Sequence, residues 1–239
     1  KKPVLSFYAT GNEITDSKKI PIWKVRNSNG HYLSSLINNL PITFKVQKIL
    51  RDNDQKIFKK EINRQFKSNT NIIITSGAVS AGKFDFIPGI INDFKLANFF
   101  KGVAIRPGKP ILFTKFKNKN IAFFGLPGNP ISSAACFRFF VFPFLFTSLN
   151  IKKEKPFKAK LKNNFIKKKN FTRFIKGKIS FSNKGLIEFE VLRGQESFRI
   201  NSFTKANSWG FFPSGKSKFK KGQFIDCFTV LPKDEMLIN

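Results

Sequence analysis

The sequence predicts an α/β domain with a three-layer build and a mostly parallel sheet, followed by a small all-β, barrel-like domain. Three observations carry this. Over residues 1–150, short apolar runs alternate with segments of helical period, the mark of βα units. Some runs are continuously apolar, as in Asn71-Ile72-Ile73-Ile74-Thr75, which is how parallel strands buried on both faces read. From residue 151 onward no long helical period remains, and short β-like runs separated by turn residues take over.

The elements follow in order. Pro3–Tyr8 reads as a buried strand ended by Thr10-Gly11. Asn27-Ser28-Asn29 is a capping sequence for a helix to about Asn39, with Tyr32, Leu33, Leu36, Ile37 and Leu40 at helical spacing. Ile42–Val46 is the next strand. Asp52–Lys67 is a polar helix with Ile57, Phe58 and Ile62 on its inner face. After the Ile72–Ile74 strand come a short helix at Phe86–Lys95 and strands at Val103–Ile105, Ile111–Lys115 and Ile121–Phe124. Pro130 opens a long helix to about Thr147, proline being well suited to a first helical turn. β-like runs then fall at Phe157–Leu161, Phe174–Phe181, Leu186–Leu192, Trp209–Phe212 and Gln223–Val230. The boundary lies near Leu149–Pro156, giving domains 1–150 and 151–239.

Composition narrows the function. The chain has 239 residues, 44 Lys+Arg, 14 Asp+Glu and a net charge of +30. Such a charge attracts phosphate backbones, so a basic nucleic-acid binder is one reading. Lysine, however, outnumbers arginine 36 to 8, and the charge is spread over both halves. Lys, Phe, Ile and Asn are abundant together, as A/T-rich codons would make them, and this compositional reading is favoured. Either way, the field draws small anions toward any cleft. Cys136 and Cys227 are too few for a disulfide framework or a zinc cluster, and His31 is the one histidine. No uninterrupted apolar run reaches the roughly 18 residues of a membrane span, and no signal peptide is visible, so the expectation is a cytoplasmic protein without a membrane partner. The one methionine is Met236, so the expectation is that residues have been removed upstream, by processing or by fragmentation.

Three glycine-bearing loops sit where an open α/β sheet binds ligands, at the carboxyl ends of strands. In Ser76-Gly77-Ala78-Val79-Ser80-Ala81-Gly82, small residues let backbone N–H groups approach an anion. Asp85 follows, a carboxylate suited to magnesium or proton transfer. In Arg106-Pro107-Gly108-Lys109-Pro110, two cations three residues apart are held by two prolines and could clamp phosphate. Gly125-Leu126-Pro127-Gly128-Asn129-Pro130 leads into the long helix. Each loop alone is also an ordinary turn, and none matches the dinucleotide fingerprint or the Walker lysine loop.

Taken in order, these loops resemble the molybdopterin molybdenumtransferases, the MoeA family that includes the gephyrin E domain. Thr10-Gly11-Asn12-Glu13, Val25-Arg26-Asn27-Ser28-Asn29, Thr75–Gly82 with Asp85, Arg106–Pro110 and Leu126–Pro130 carry the likeness. It continues in Phe171-Thr172-Arg173, Gly194-Gln195-Glu196-Ser197, Asn201-Ser202-Phe203 and Ala206-Asn207. The resemblance implies transfer of molybdenum from molybdate to adenylylated molybdopterin, with magnesium and release of AMP. It implies catalytic roles for Asp85, Lys109, Arg106 and Glu13. Thr75, Ser76, Gly77, Ser80 and Gly82, with Pro127, Gly128, Asn129, Arg173 and Ser197, fall to substrate binding. Asp85, Glu13 and Asn27 fall to the metal. The family carries two further N-terminal domains, so the resemblance implies the C-terminal half of a longer protein or a stand-alone remnant of one, with a homodimer for the full-length protein. The chain departs from the family at Asn12 and Asn27, where aspartates are usual, at Ala78 and Glu196, where glycines are usual, and at Arg106, where lysine is usual. A catalytically silent pterin-binding or scaffold fragment is therefore the alternative.

Overall fold

The computed structural model describes residues 2–79 and 85–231. The chain forms two compact units, one of Lys1–Val103 with Pro110–Ala134, the other of Ala104–Lys109 with Ala135–Asn239. The segment 104–109 and residues 135–150, expected from the sequence in the α/β domain, thus fall in the second unit.

In chain order the first unit begins with β1 (Val4–Ala9), β2 (Ile14–Thr15), β3 (Val25–Arg26), α1 (Ser28–Ile37), β4 (Thr43–Val46), α2 (Gln55–Phe66), β5 (Ile72–Ser76) and α3 (Ile87–Asn92). β6 (Leu96–Lys101) follows. β7 (Ile105–Arg106) belongs to the second unit. The first unit resumes with β8 (Leu112–Phe116), β9 (Ala122–Leu126) and the start of α4 (Pro130–Cys136). Its sheet has the order β4-β1-β5-β9-β8-β6. β4, β1, β5 and β9 run parallel, while β8 and β6 are antiparallel additions. The sheet is therefore parallel at the centre and mixed at one edge. Every residue of β1, β5 and β9 is buried, as the continuous apolar runs require.

Strand alternation sends Tyr8, Ile73 and Phe123 to one face, where they share a core with Phe58 and Ile62 of α2 and Ile87 and Ile91 of α3. The other face carries Phe7, whose ring lies against α1: a Cβ on Gly30 would come within 3.0 Å of it. Helices thus cover both faces, the three-layer arrangement. Each fully buried Phe or Ile here contributes about 1.5–3 kcal/mol relative to an exposed one.

Two expectations need correction. Ile57 is 42% exposed, because the inner face of α2 is set by Phe58, Glu61, Ile62 and Gln65 at helical spacing and Ile57 lies one residue off it. The strand expected at Val103–Ile105 forms at Ile105–Arg106 and pairs in the second unit's sheet, while β6 was not foreseen. The sequence of β6, LANFFK, is exposed over its last four residues and lacks a strict alternation.

The second unit continues with a π-helical turn (Phe137–Val141), α5 (Phe142–Ser148), β10 (Phe157–Leu161), β11 (Phe165–Ile166), β12 (Thr172–Phe181), β13 (Ile187–Val191), α6 (Ile200–Thr204), β14 (Ser208–Phe212), β15 (Lys218–Phe219) and β16 (Phe224–Thr229). Its sheet runs β13-β10-β16-β14-β12-β7, and an added β12–β13 pairing closes the first five strands into a barrel. The ten-residue β12 makes this possible: its first half pairs with β14 and its second half with β13, changing partner at Gly177. The Phe189 ring fills the space that a side chain at Gly177 or Gly210 would need. Ile175, Phe189, Phe212, Phe219 and Ile225 complete the core.

The continuous helix Pro130–Ser148 has 19 residues and is long and apolar enough by length and composition to cross a bilayer, but 67% of that window is buried inside the protein, as in a core helix. In its π turn, Arg138 is buried and forms an ion pair with Glu154, while its Nε donates to the Thr229 carbonyl at 3.1 Å.

Candidate functional site

In the first unit, four segments meet at the carboxyl ends of the parallel strands. The backbone N–H of Thr10, just after β1, donates to the Ser76 carbonyl at the end of β5 (3.0 Å), and Gly77 N–H donates to the Leu126 carbonyl at the end of β9 (2.9 Å). Asn29, in the first turn of α1, ties the other two together. Its Nδ2 donates to Ser76 Oγ at 2.6 Å and to the Gly128 carbonyl at 2.9 Å. Gly77 has φ +103°, and a Cβ there would lie 2.8 Å from the Thr10 carbonyl. Gly128 packs directly on Gly77: a Cβ on it would stand 3.4 Å from the Gly77 Cα. Glycines therefore let two strand ends close on each other. Beneath this cradle, Thr75 Oγ1, Asn129 Oδ1 and Ser133 Oγ are buried without a hydrogen-bond partner. Buried polar atoms are normally paired, and such orphans mark places where a ligand or water completes the site.

The Gly11–Ile14 loop is held by Arg51, whose Nη1 donates to the carbonyls of Gly11, Asn12 and Ile14 at 3.2, 3.2 and 2.8 Å. Asn12 Oδ1 accepts from Asp52 N–H at 3.3 Å. The Glu13 carboxylate folds over Gly11, where a Cβ would come within 2.6 Å of Oε1, and it is exposed. Asn27 is buried, and its Oδ1 accepts from Gly30 N–H at 3.2 Å as the cap of α1. Asp85 is half-buried just before α3. Ser80 and Gly82 lie outside the described residues.

The second unit gathers cations. Arg106 on β7 and Arg173 on β12 are register partners in a parallel pair. The Arg106 guanidinium lies 4.6 Å from the Phe171 ring centre. Burial, then repulsion from Arg106, holds Arg173 below the usual arginine range, with Glu196 opposing, and its Nε is buried without a partner. Lys167 is buried, donates to the Phe171 carbonyl at 2.8 Å, and is held below the usual lysine range by burial and then by Arg173. Arg106 itself is exposed, and the burial of Arg173 and Lys167 beside other positive charge favours an anion there. Lys109 is exposed, and Ser197 sits half-exposed on the Gly194–Arg199 loop.

The structure thus brings Thr75, Ser76, Gly77, Pro127, Gly128 and Asn129 to one place, and Arg106 and Arg173 to another. Asn29, Arg51 and Lys167 are additions to the expected set, as is Lys176, buried on β12. Asn29 lies within a motif legible in the sequence. Lys167 lies in the Lys167–Lys169 run, visible in the sequence as a local cluster of charge but not as a site, and Lys176 carried no signal in a lysine-rich chain.

A family model described as a probable molybdopterin binding domain matches residues 6–147, and one described as the MoeA C-terminal region (domain IV) matches residues 158–235. A molybdopterin molybdenumtransferase of Staphylococcus epidermidis is 30% identical over 234 residues, covering 96% of this chain and 54% of its own length. The Staphylococcus aureus protein of the same name is 31% identical over 237 residues, with the same coverages of 96% and 54%. The solved structure of a molybdopterin biosynthesis MoeA protein from Pyrococcus horikoshii superposes with a TM-score of 0.75 at 24% identity, over 97% of this chain and 55% of that one, a likeness of fold. The chain spans about half the length of the curated relatives it matches.

Proposed function

This chain belongs to the MoeA family of molybdenum cofactor biosynthesis proteins, and from that premise we propose that it binds adenylylated molybdopterin. In a protein of the relatives' full length it takes part in moving molybdenum from molybdate onto that ligand, with release of AMP. The observation that carries this reading is the cradle in the first unit. Gly77 and Gly128 bring two strand ends into contact, Asn29 ties Ser76 to Gly128, and Thr75 Oγ1 and Asn129 Oδ1 are left buried and unpartnered. Backbone N–H groups and small hydroxyls suit a phosphate, and buried acceptors and donors suit a pterin edge.

In the second unit, Arg106 and Arg173 supply positive charge for an oxyanion, whether phosphate or molybdate, with Lys109 and Ser197 as further donors. Electrostatic stabilisation of developing charge is the contribution such groups make to transfer chemistry.

Magnesium binds through one or two carboxylates plus substrate phosphate rather than in a protein cage. Among the described residues no group of three or more His, Cys, Asp or Glu could hold a metal. Glu13 and Asp85 fit that mode of binding as exposed and half-buried carboxylates of the first unit. Asn27 does not fit: its Oδ1 is committed to the helix cap and the residue is buried. When bound, magnesium would offset phosphate charge on the nucleotide.

A second reading, a catalytically silent binding fragment, draws on the same residue, because asparagine at position 27 serves the fold and brings no charge to a cation. Turnover separates the two. In a full-length protein carrying this half, Asp85→Asn is expected to abolish molybdenum insertion with folding intact; unchanged turnover contradicts the role given to Asp85. Ser76→Ala is expected to weaken pterin-nucleotide binding, and unaltered affinity would place the phosphate elsewhere.

A further inference from the structure

Lys176 is a lysine where none is expected. It lies on the barrel strand β12 and is 1% exposed. Its Nζ donates to three backbone carbonyls of one loop: Gly194 at 2.8 Å, Glu196 at 3.1 Å and Arg199 at 3.3 Å. An ammonium has three donors, so all are used. The rest of the residue grips the same loop. Lys176 N–H donates to Gln195 Oε1 at 3.0 Å, and Gln195 Nε2 donates to the Lys176 carbonyl at 2.8 Å and to the Leu192 carbonyl at 2.7 Å. Gly194, at φ +75°, makes the turn that lets these carbonyls converge. Ser202 Oγ closes it, within 2.6 Å of the Gly194 carbonyl and 2.9 Å of the Arg199 carbonyl.

Ser197 sits between two of the anchored carbonyls, those of Glu196 and Arg199. We infer that Lys176 is a positioning residue: its ammonium fixes the Gly194–Arg199 loop so that Ser197 is presented to the substrate oxyanion. The part of this that concerns Ser197 rests on the proposed function; the part that concerns the loop does not. A hydrophobic side chain of the same length would fill the space at lower desolvation cost, so the buried charge is explained by the carbonyls it gathers. An uncharged amine has two donors and must release one of them. Burial pulls the Lys176 pKa down to about 8, with Glu196 opposing and Arg173 assisting, so this release falls within an accessible pH range. Glu196 also pairs with Arg199, at 3.3 Å, on the same loop.

The test compares the wild-type chain with Lys176→Met and Lys176→Arg by amide hydrogen exchange across pH 6.5–9.5, corrected for intrinsic exchange. Losing charge-assisted hydrogen bonds is expected to speed exchange at residues 194–199 by about tenfold to a hundredfold in Lys176→Met, with the β12–β14 ladder unchanged. Lys176→Arg restores protection. In the wild type the loop loosens as pH passes about 8, and in Lys176→Arg, which stays charged, it does not. Equal loop protection in wild type and Lys176→Met, or a loop in the wild type indifferent to pH, overturns the inference. Molybdate titration into the same proteins reads the Ser197 step. Weaker binding in Lys176→Met, recovered in Lys176→Arg, supports presentation. Equal binding with a loosened loop overturns it. A wild type that binds no molybdate while its loop behaves as described refutes the oxyanion role proposed for the second unit and leaves the positioning of the loop standing.

Discussion

Gly77 is where the fold and the candidate cradle depend on the same missing atom. Gly77→Ala puts a methyl group at φ +103° and into the Thr10 side chain, with the Thr10 carbonyl 2.8 Å away. Left-handed backbone costs an L-residue roughly 1–2 kcal/mol, and overpacking a tight contact costs about 1–3 kcal/mol. The neighbour cannot give freely, because Thr10 Oγ1 and Thr10 N both bond the Ser76 carbonyl at 3.0 Å, which locks the two strand ends. A loss of about 2–5 kcal/mol is therefore expected. Gly128→Ala is the internal control: its Cβ would meet the Gly77 Cα at 3.4 Å, an ordinary contact on an exposed residue, and less than about 1 kcal/mol is expected. Urea unfolding followed by far-ultraviolet circular dichroism measures the difference. With m of about 2 kcal/mol/M, Gly77→Ala is expected to lower the midpoint by about 1–2.5 M. Equal midpoints for the two variants would refute the argument that the close approach of β1 to β5 requires glycine at position 77.

The other predictions follow the same logic. Asn27→Ala removes the α1 cap and is expected to cost about 1 kcal/mol in denaturant unfolding, while Asn27→Asp, which can still cap, stays near wild type. Arg51→Ala frees three carbonyls of the Gly11–Ile14 loop, so amide exchange there is expected to rise with little change in β1; an unaltered loop contradicts its role. Arg138→Ala strands the Glu154 carboxylate, which is 14% exposed in its ion pair, and is expected to cost about 2–4 kcal/mol by thermal or urea unfolding. The pH dependence of stability carries the sign of the lysine buried in the barrel. Its folded pKa, about 8, lies below the ordinary lysine value of 10.5, so between these pH values the unfolded chain binds the extra proton and stability rises with pH. The slope from this residue is at most about 1.4 kcal/mol per pH unit. It is expected to vanish from the same window in Lys176→Met, and a Lys176→Met curve parallel to wild type would contradict it.

Much of this molecule was legible in its sequence, for identifiable reasons. Central parallel strands are buried on both faces, so Ile72–Ile74 and Ile121–Phe124 announced themselves as continuous apolar runs. Capping and turn chemistry placed the ends of α1 and of the Pro130 helix. What was not legible depends on tertiary pairing. β6 has an exposed, irregular pattern and is a strand because β8 offers it an edge. β7 is two residues long and exists through its bonds to β12, which carries Arg106 into the second unit. The site divides the same way. Ser76, Gly77, Gly128 and Asn129 stood out because small and turn-forming residues cluster at the carboxyl ends of parallel strands, where an open sheet takes its ligands. Neither the Lys167–Lys169 run nor Lys176 pointed to a site, since burial distinguishes Lys167 and Lys176 from the other lysines and burial is a property of the folded barrel. Asn27 shows the converse: a residue in a ligand-like motif whose oxygen the helix end already uses.

Calorimetric titration of adenylylated molybdopterin into this chain, with magnesium, at moderate and at high salt, tests the central claim most directly. The account predicts saturable one-to-one binding that survives high salt, because the proposed cradle would hold the ligand through short-range hydrogen bonds to the buried, unpartnered oxygens of Thr75 and Asn129. Heat that disappears at high salt and is matched by any polyanion would contradict it, and would assign the interaction to the net charge of +30 alone.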